Sequence, residues 1–373
     1  MKEVNKERLF KTFEGLVSID SLTYGEREIA DVLKRKLKEL GLSVYEDDSS
    51  SVTGSNAGNI YATWKGDDGN DKDTVLFMAH MDTVVPGAGK KAVLQPDGRI
   101  TSAGDTILGA DDAGGIAEIL EAIEEIKEEG IGHRNVEVIF TVAEEAYCVG
   151  ASAFDHSKVS ADRAYILDRA GEIGSATVTE PTLISFEIEV KGKASHAGFN
   201  PEKGVNAIVI ASKAIASLPV GRKDEDTTLA VGIIEGGVAT NVVPDSVKIK
   251  GEIRSQIHEK ALETLEEVKT AFENEARQAG GKAELSHKVH LKAYRIPDDS
   301  PTLAEYRNVL AKKGIVFAAE KSFGGSDCNI LRQKGIDGVT IANAMWEIHS
   351  VREYTTLDGM VTVTDIVRDL MKG

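Results

Sequence analysis

A chain of 373 residues, 41% hydrophobic and 28% charged, is long enough for more than one core and has the balance of an ordinary globular protein. Its net charge of −17, with no offsetting basic block, argues against nucleic-acid or anionic-membrane partners. Two cysteines, Cys148 and Cys328, provide no disulfide framework, and neither a signal peptide nor an apolar run of ~20 residues is evident, so a cytoplasmic protein is expected.

In chain order, residues 5–41 have helical spacing interrupted near Asp20 to Gly25. In the second part Ile29, Val32, Leu33, Leu37 and Leu40 follow a 3.6-residue period and Gly41 supplies the stop. Val44–Tyr45 and Asn59 to Trp64 are strand candidates around a polar loop. Thr74 to His80 is short, β-rich and apolar on both faces, as a strand covered on both sides must be, and Pro86-Gly87 punctuates the loop beyond it. The stretch from Gly104 to Gly115 leads Asp111 and Asp112 into a helix expected from Ile116 to Glu129. Val136 to Ala143 is a second buried strand running into Glu144-Glu145. Arg163 to Leu167 is a third, ending on Asp168, and Gly338 to Ala342 a fourth, followed by His349.

The texture changes from Pro181. Leu183 to Val190 alternates apolar and polar as a half-exposed antiparallel strand should. A helix (Val205 to Leu218), two strands (Leu229 to Glu235, Ser246 to Arg254), a second helix (Glu259 to Ala279) and a last strand (Lys282 to Lys292) complete a ferredoxin-like order. The expected fold class is therefore α/β. A mainly parallel mixed sheet forms a catalytic domain from 1–178 and 294–373, and an α+β ferredoxin-like lid is inserted over 179–293.

Each polar feature has an ordinary explanation in isolation. His80 suits a loop or core histidine, Asp111 and Asp112 suit helix caps, and Glu144-Glu145 suits a solvated strand end. Together they point elsewhere, because ligands of open α/β sheets sit beyond the carboxyl ends of the strands. Asp82, Asp111, Glu144, Glu145 and Asp168 around one edge would be costly without cations. Two histidines and carboxylates without cysteine suit zinc, cobalt or manganese, and a carboxylate able to bridge suggests two metals ~3.5–4 Å apart. If the strand runs on, Asp82 shares a face with His80 and would hydrogen-bond one ring nitrogen, leaving the other free. One of the two adjacent glutamates can ligate while the other acts as general base on metal-activated water.

These motifs, in this order over essentially the whole chain, resemble the co-catalytic dizinc peptidases that include peptidase T, carboxypeptidase G, aminoacylase and succinyl-diaminopimelate desuccinylase. The resemblance implies His80 and His349 as terminal ligands, Asp111 as the bridge, Glu145 and Asp168 as the remaining ligands, Glu144 as general base and Asp82 as the residue orienting His80. Gly109 to Gly115 looks most like the peptidase T form of the bridging motif, with Ala113 where a lysine is common. In the lid, Ala194 to Gly198 resembles the motif whose histidine, here His196, reaches the partner subunit's active site to stabilise the oxyanion. Asn241 and Arg254 match substrate contacts, and Gly325 and Ser326 lie in a turn matching one that lines the pocket. Taken alone, His196 suits a turn and Arg254 a surface salt bridge.

The resemblance implies two divalent ions, zinc first with Co2+ or Mn2+ as alternatives, a short peptide as substrate and a homodimer through the lid. The activity expected is removal of the N-terminal residue of tripeptides. The lid sequence from Gly192 to Asn206 is closer to carboxypeptidase and aminoacylase lids, which keeps N-acyl amino acids or C-terminal peptide bonds as the alternative. A non-catalytic metal-binding relative is a further alternative, opposed by Glu144 at the base position.

Overall fold

In the computed structural model, which describes residues 3–66 and 73–373, four buried strands run parallel and adjacent in the order Asn135–Thr141, Thr74–His80, Arg163–Ala170 and Asp337–Trp346. Their register sets His80 beside Thr141, Met78 beside Ile166 and Ile166 beside Thr340. Glu144 and Glu145 therefore follow His80's neighbour by a few residues, and Asp168 and Asn343 lie toward the carboxyl ends of their own strands at the same edge. Antiparallel strands continue the sheet on both sides, Ile60–Trp64 and Ser43–Glu46 at one flank and Tyr354–Thr356, Arg99–Ser102 and Ala92–Leu94 at the other.

The chain divides into two compact units: residues 1–178, 295–321 and 326–373, and residues 179–294 with 322–325. In the first, the helix Ala110–Glu129 packs on the sheet and against the helices Lys6–Val17 and Leu357–Lys372. It begins earlier than its apolar pattern suggests, and Asp111 and Asp112 keep non-helical angles within it. Two glycines make the approach possible. Gly109 takes φ +79° ahead of the helix, and a Cβ on Gly115 would lie 2.7 Å from the Leu167 carbonyl oxygen. The acidic stretch of this helix is not a solvated face: buried Glu121 and Glu125 pair with Arg8 and Arg368.

The second unit has a sheet in the order Gly221–Arg222, Thr227–Gly236, Ser246–Ser255, Thr182–Lys191 and Lys282–Leu291, all antiparallel. Setting aside the short first strand, the strands are ordered second, third, first, fourth, as in a ferredoxin-like sandwich. The helices Ala207–Ser217 and His258–Ala279 cover one face, with Ile184, Phe186, Ile188, Ile249, Val268 and Phe272 in the core. The turn Ser322–Gly325 groups with this unit and not with the closing catalytic segment in which the sequence reading placed it. Arg254 Nη1 donates to the Phe323 carbonyl at 2.8 Å and Gln256 Nε2 to that of Ser322 at 3.3 Å, tying the turn to the Ser246–Ser255 strand and the residue after it. No helix among the described residues is long and apolar enough to cross a membrane.

Candidate metal centre

At the carboxyl edge of the parallel strands, Asp111 stands between two histidines. Its Oδ1 is 2.9 Å from His80 Nε2 and its Oδ2 is 3.1 Å from His349 Nε2. Asp168 Oδ1 lies 3.8 Å from His80 Nε2, and Glu145 Oε1 lies 2.8 Å from His349 Nε2. Two groups result, His80–Asp111–Asp168 and Asp111–Glu145–His349, each with donor atoms within 4.8 Å of one another. Asp111 belongs to both. A third group, His80–Glu144–Glu145, brings Glu144 alongside.

The donor set fits divalent cations. Burial pushes the carboxyls of Asp168 and Glu144 well above the ordinary range and raises that of Glu145 as well. Burial would also raise Asp111, but hydrogen bonds with His349 and His80 hold it below that range. Both imidazoles respond in kind. His80 would be lowered by burial, yet Asp111, Asp82 and Asp168 raise it well above its usual value, and Asp111 and Glu145 push His349 up to about 10. Each shift has the same cause, acidic groups gathered out of water around two imidazoles, a cluster that divalent cations would relieve.

Asp82 differs from expectation in how it orients its neighbours. The strand ends at His80, so His80 Nδ1 meets the main-chain oxygen of Asp82 at 2.9 Å, while the Asp82 carboxylate stands 3.5 Å from the same nitrogen. That carboxylate instead accepts the main-chain N–H of Glu144 at 2.9 Å and of Glu145 at 3.3 Å, and the Thr23 hydroxyl. It positions the glutamate pair as well as the histidine. Asp111 and Asp112, joined by a cis peptide, divide two jobs. Asp111 faces the histidines. Asp112 accepts the N–H groups of His80 and Gly115 and the Asn343 amide, so the capping explanation applies to the second aspartate.

Sequence reasoning missed several supporting groups. Glu353 is 1% exposed and accepts three main-chain N–H bonds from the turn before Asp111. The Cys148 thiol donates to Glu144 Oε1 at 3.1 Å, and Thr141 Oγ1 donates to the buried carboxylate of Asp327. The segments around the centre also hold residues in the left-handed region. Ala143, Tyr147, Cys148, Ala344, Glu347 and His349 all have φ between +49° and +69°. Only the glutamate–histidine spacing could have hinted at Glu353, which follows His349 by four residues.

Ser326 stands at a helix start. It is buried, its hydroxyl accepts Cys328 N–H at the start of the helix Asp327–Gln333, and it bonds Thr340 Oγ1 at 3.0 Å. Its side chain serves as a helix cap. His196, Asn241, Arg254 and Gly325 belong to the other unit. There the His196 and Asn241 turns adjoin, Ala197 N–H donating to the Asn241 carbonyl at 3.0 Å. His196 Nδ1 accepts the N–H groups of Gly198 and Phe199, which places the imidazole proton on Nε2 of an exposed ring. Arg254 pairs with Glu252 and holds the Phe323 carbonyl.

Residues 178–281 match the model of a peptidase dimerisation domain, and residues 59–204 that of peptidase family M28. The chain is 42% identical to the uncharacterised protein YqjE of Bacillus subtilis, over 98% of this chain and 97% of that one. It superposes on the crystal structure of aminopeptidase PepT from Bacillus cereus with a TM-score of 0.91 and 41% identity, covering 99% and 98% of the two chains. A tripeptidase from Staphylococcus aureus gives a TM-score of 0.95 and 34% identity over 100% and 99%.

Proposed function

This chain belongs to the peptidase T-like branch of the M20 metallopeptidases, and from that membership we propose that it is an aminopeptidase releasing the N-terminal residue of short peptides, tripeptides first, at a two-metal site. The observation that carries the reading is the division of Asp111 between two donor groups, one oxygen toward each histidine. Asp111 with His80 and Asp168 would hold one cation, and Asp111 with Glu145 and His349 the other. The nitrogen and carboxylate donors suit zinc, with cobalt or manganese as alternatives.

When bound, such a pair supplies Lewis acidity toward a carbonyl oxygen and makes water more acidic. The chain's own groups do the rest. Glu144 takes a proton from the attacking water and returns it to the departing amine. It is suited to this because Glu145 makes the hydrogen bond to His349, while the Glu144 carboxylate accepts from the Cys148 thiol. Asp82 keeps both glutamates in place through their N–H groups. His196 presents its Nε2–H to the carbonyl oxygen as negative charge develops there, from the partner subunit of a homodimer formed through the second unit. The match of residues 178–281 to a dimerisation domain supports that assembly. Asn241 and Arg254 contact the substrate, and Gly325 leaves room for its backbone.

The test is hydrolysis of a free-amine tripeptide beside its N-acetylated twin, using chelator-stripped protein with and without zinc or cobalt. Metal-dependent cleavage of the free peptide alone is expected. Cleavage of the acetylated compound would move the enzyme to amidohydrolase or carboxypeptidase chemistry, and no turnover of either would refute catalysis.

A further inference from the structure

The turn that delivers Asp111 does not hold itself. Gly109 is left-handed, no side chain caps the helix at that residue, and Asp111 and Asp112 lie outside helical angles. Its N–H groups converge on one distant carboxylate. Glu353 Oε2 accepts from Leu108 and Gly109, both at 2.8 Å, and Oε1 accepts from Asp111 at 3.0 Å. A carboxylate 1% exposed is costly to bury unless its lone pairs are filled, and here main chain fills them. Glu353 also lies four residues beyond His349, and its own N–H closes a turn onto the Ser350 carbonyl at 3.0 Å. One short segment therefore supplies the His349 imidazole and the brace for the aspartate that imidazole faces.

We propose that Glu353 is a positioning residue that fixes Asp111 against His349 before any cation arrives, and so sets the affinity of both cations together. The inference rests on the two-metal reading. Because Asp111 belongs to both donor groups, a displaced Asp111 turn weakens both. Loss of a residue that touches one group, such as Asp168, weakens one. Partners of this kind typically govern metal affinity by about 10–100-fold.

The experiment is a calorimetric zinc titration, against a competing chelator, of the full chain stripped of metal. Wild type, Glu353→Gln and Asp168→Asn are compared at a temperature where all three are folded by circular dichroism. Glutamine keeps the volume but turns an amide N–H2 toward an N–H donor. Two equivalents are expected in wild type, with both weakened at least 10-fold in Glu353→Gln and one in Asp168→Asn. Wild-type affinity for both equivalents in Glu353→Gln would reduce Glu353 to a structural role and overturn the proposal. Fewer than two equivalents in wild type would instead overturn the two-metal reading, and the inference with it. Should Glu353→Gln fail to fold, hydrogen exchange on metal-free wild type decides. The Leu108, Gly109 and Asp111 amides should be as protected without zinc as with it. Protection that appears only with zinc would show that the cation, not Glu353, orders the turn.

Discussion

Replacing Gly115 by alanine should damage stability and activity through one crowded approach of helix to strand. A Cβ at this position would sit 2.5 Å from Asp112 Oδ1, 2.7 Å from the Leu167 carbonyl oxygen and 2.8 Å from Leu167 Cβ. None of these can yield cheaply. The carbonyl belongs to a central strand, and Asp112 Oδ1 already accepts from Gly115 N–H and Asn343. The helix must back away from the sheet, at the 1–3 kcal/mol typical of overpacking. In a unit of this size that corresponds to a fall in melting temperature of roughly 2–10 °C. The same shift carries Asp111 off its two histidines, and about 1 Å of misplacement costs on the order of 100-fold in rate. Thermal melts of the metal-free protein and kcat on a tripeptide with saturating zinc would measure both effects. Gly132→Ala, where an added Cβ meets nothing within 4 Å, serves as the control. If Gly115→Ala melts within 1 °C of wild type and keeps at least half its kcat, then by about the same scale the claimed crowding is absent.

Glu144→Ala should retain both metal equivalents by elemental analysis while kcat falls by about 10²–10⁴, and loss of metal would mean the two glutamates have exchanged roles. His196→Ala should lower kcat by about 10²–10³ at an unchanged melting temperature. Mixing it with Glu144→Ala should restore up to about a quarter of the sites if His196 acts across a dimer, since half the dimers are mixed and each has one intact site. No recovery after proven subunit exchange would place His196 in its own subunit's site or in none. Glu46 should contribute acid-sensitive stability. Burial would raise its carboxyl, but hydrogen bonds from Arg27 and Lys34 outweigh burial and hold it at about 2, against an ordinary 4.5. Its contribution is therefore present above pH 4.5 and lost as pH falls toward 2. The pair is partly exposed, so roughly 1 kcal/mol is expected. Urea midpoints of metal-free Glu46→Gln and wild type should differ at pH 6 and converge below about pH 3, and a gap that widens toward acid would reverse the sign.

Several of the clustered donors were legible because they share one pattern, an apolar strand with a histidine or carboxylate at or just beyond its end, repeated along the chain. His80 and Asp168 are fixed by strand register, which periodicity reveals, and Glu145 follows its strand by four residues. The supporting bonds are of another kind. Glu353, Asp82 and Asp112 spend their carboxylates on main-chain N–H groups in turns, and turns carry no periodicity to announce which amide points where. The capping role of Ser326 was hidden for the same reason, since its place beside glycines says nothing of a hydroxyl that starts a helix. The turn 322–325 joined the other unit through carbonyls held by Arg254 and Gln256, contacts written in backbone geometry and not in residue type.

The left-handed residues around the centre bear on how this enzyme could be improved. Ala143, Tyr147, Cys148, Ala344, Glu347 and His349 each sit where glycine would rest more easily, at a cost of order 1–3 kcal/mol apiece. A selection for heat resistance would be drawn to glycine at the five positions other than His349. Each such change would relieve the backbone and at the same time let the neighbouring Glu144, Glu145 or His349 wander. Thermostability gained there would be traded against metal retention and turnover, whereas glycine or proline changes in remote turns would carry no such exchange.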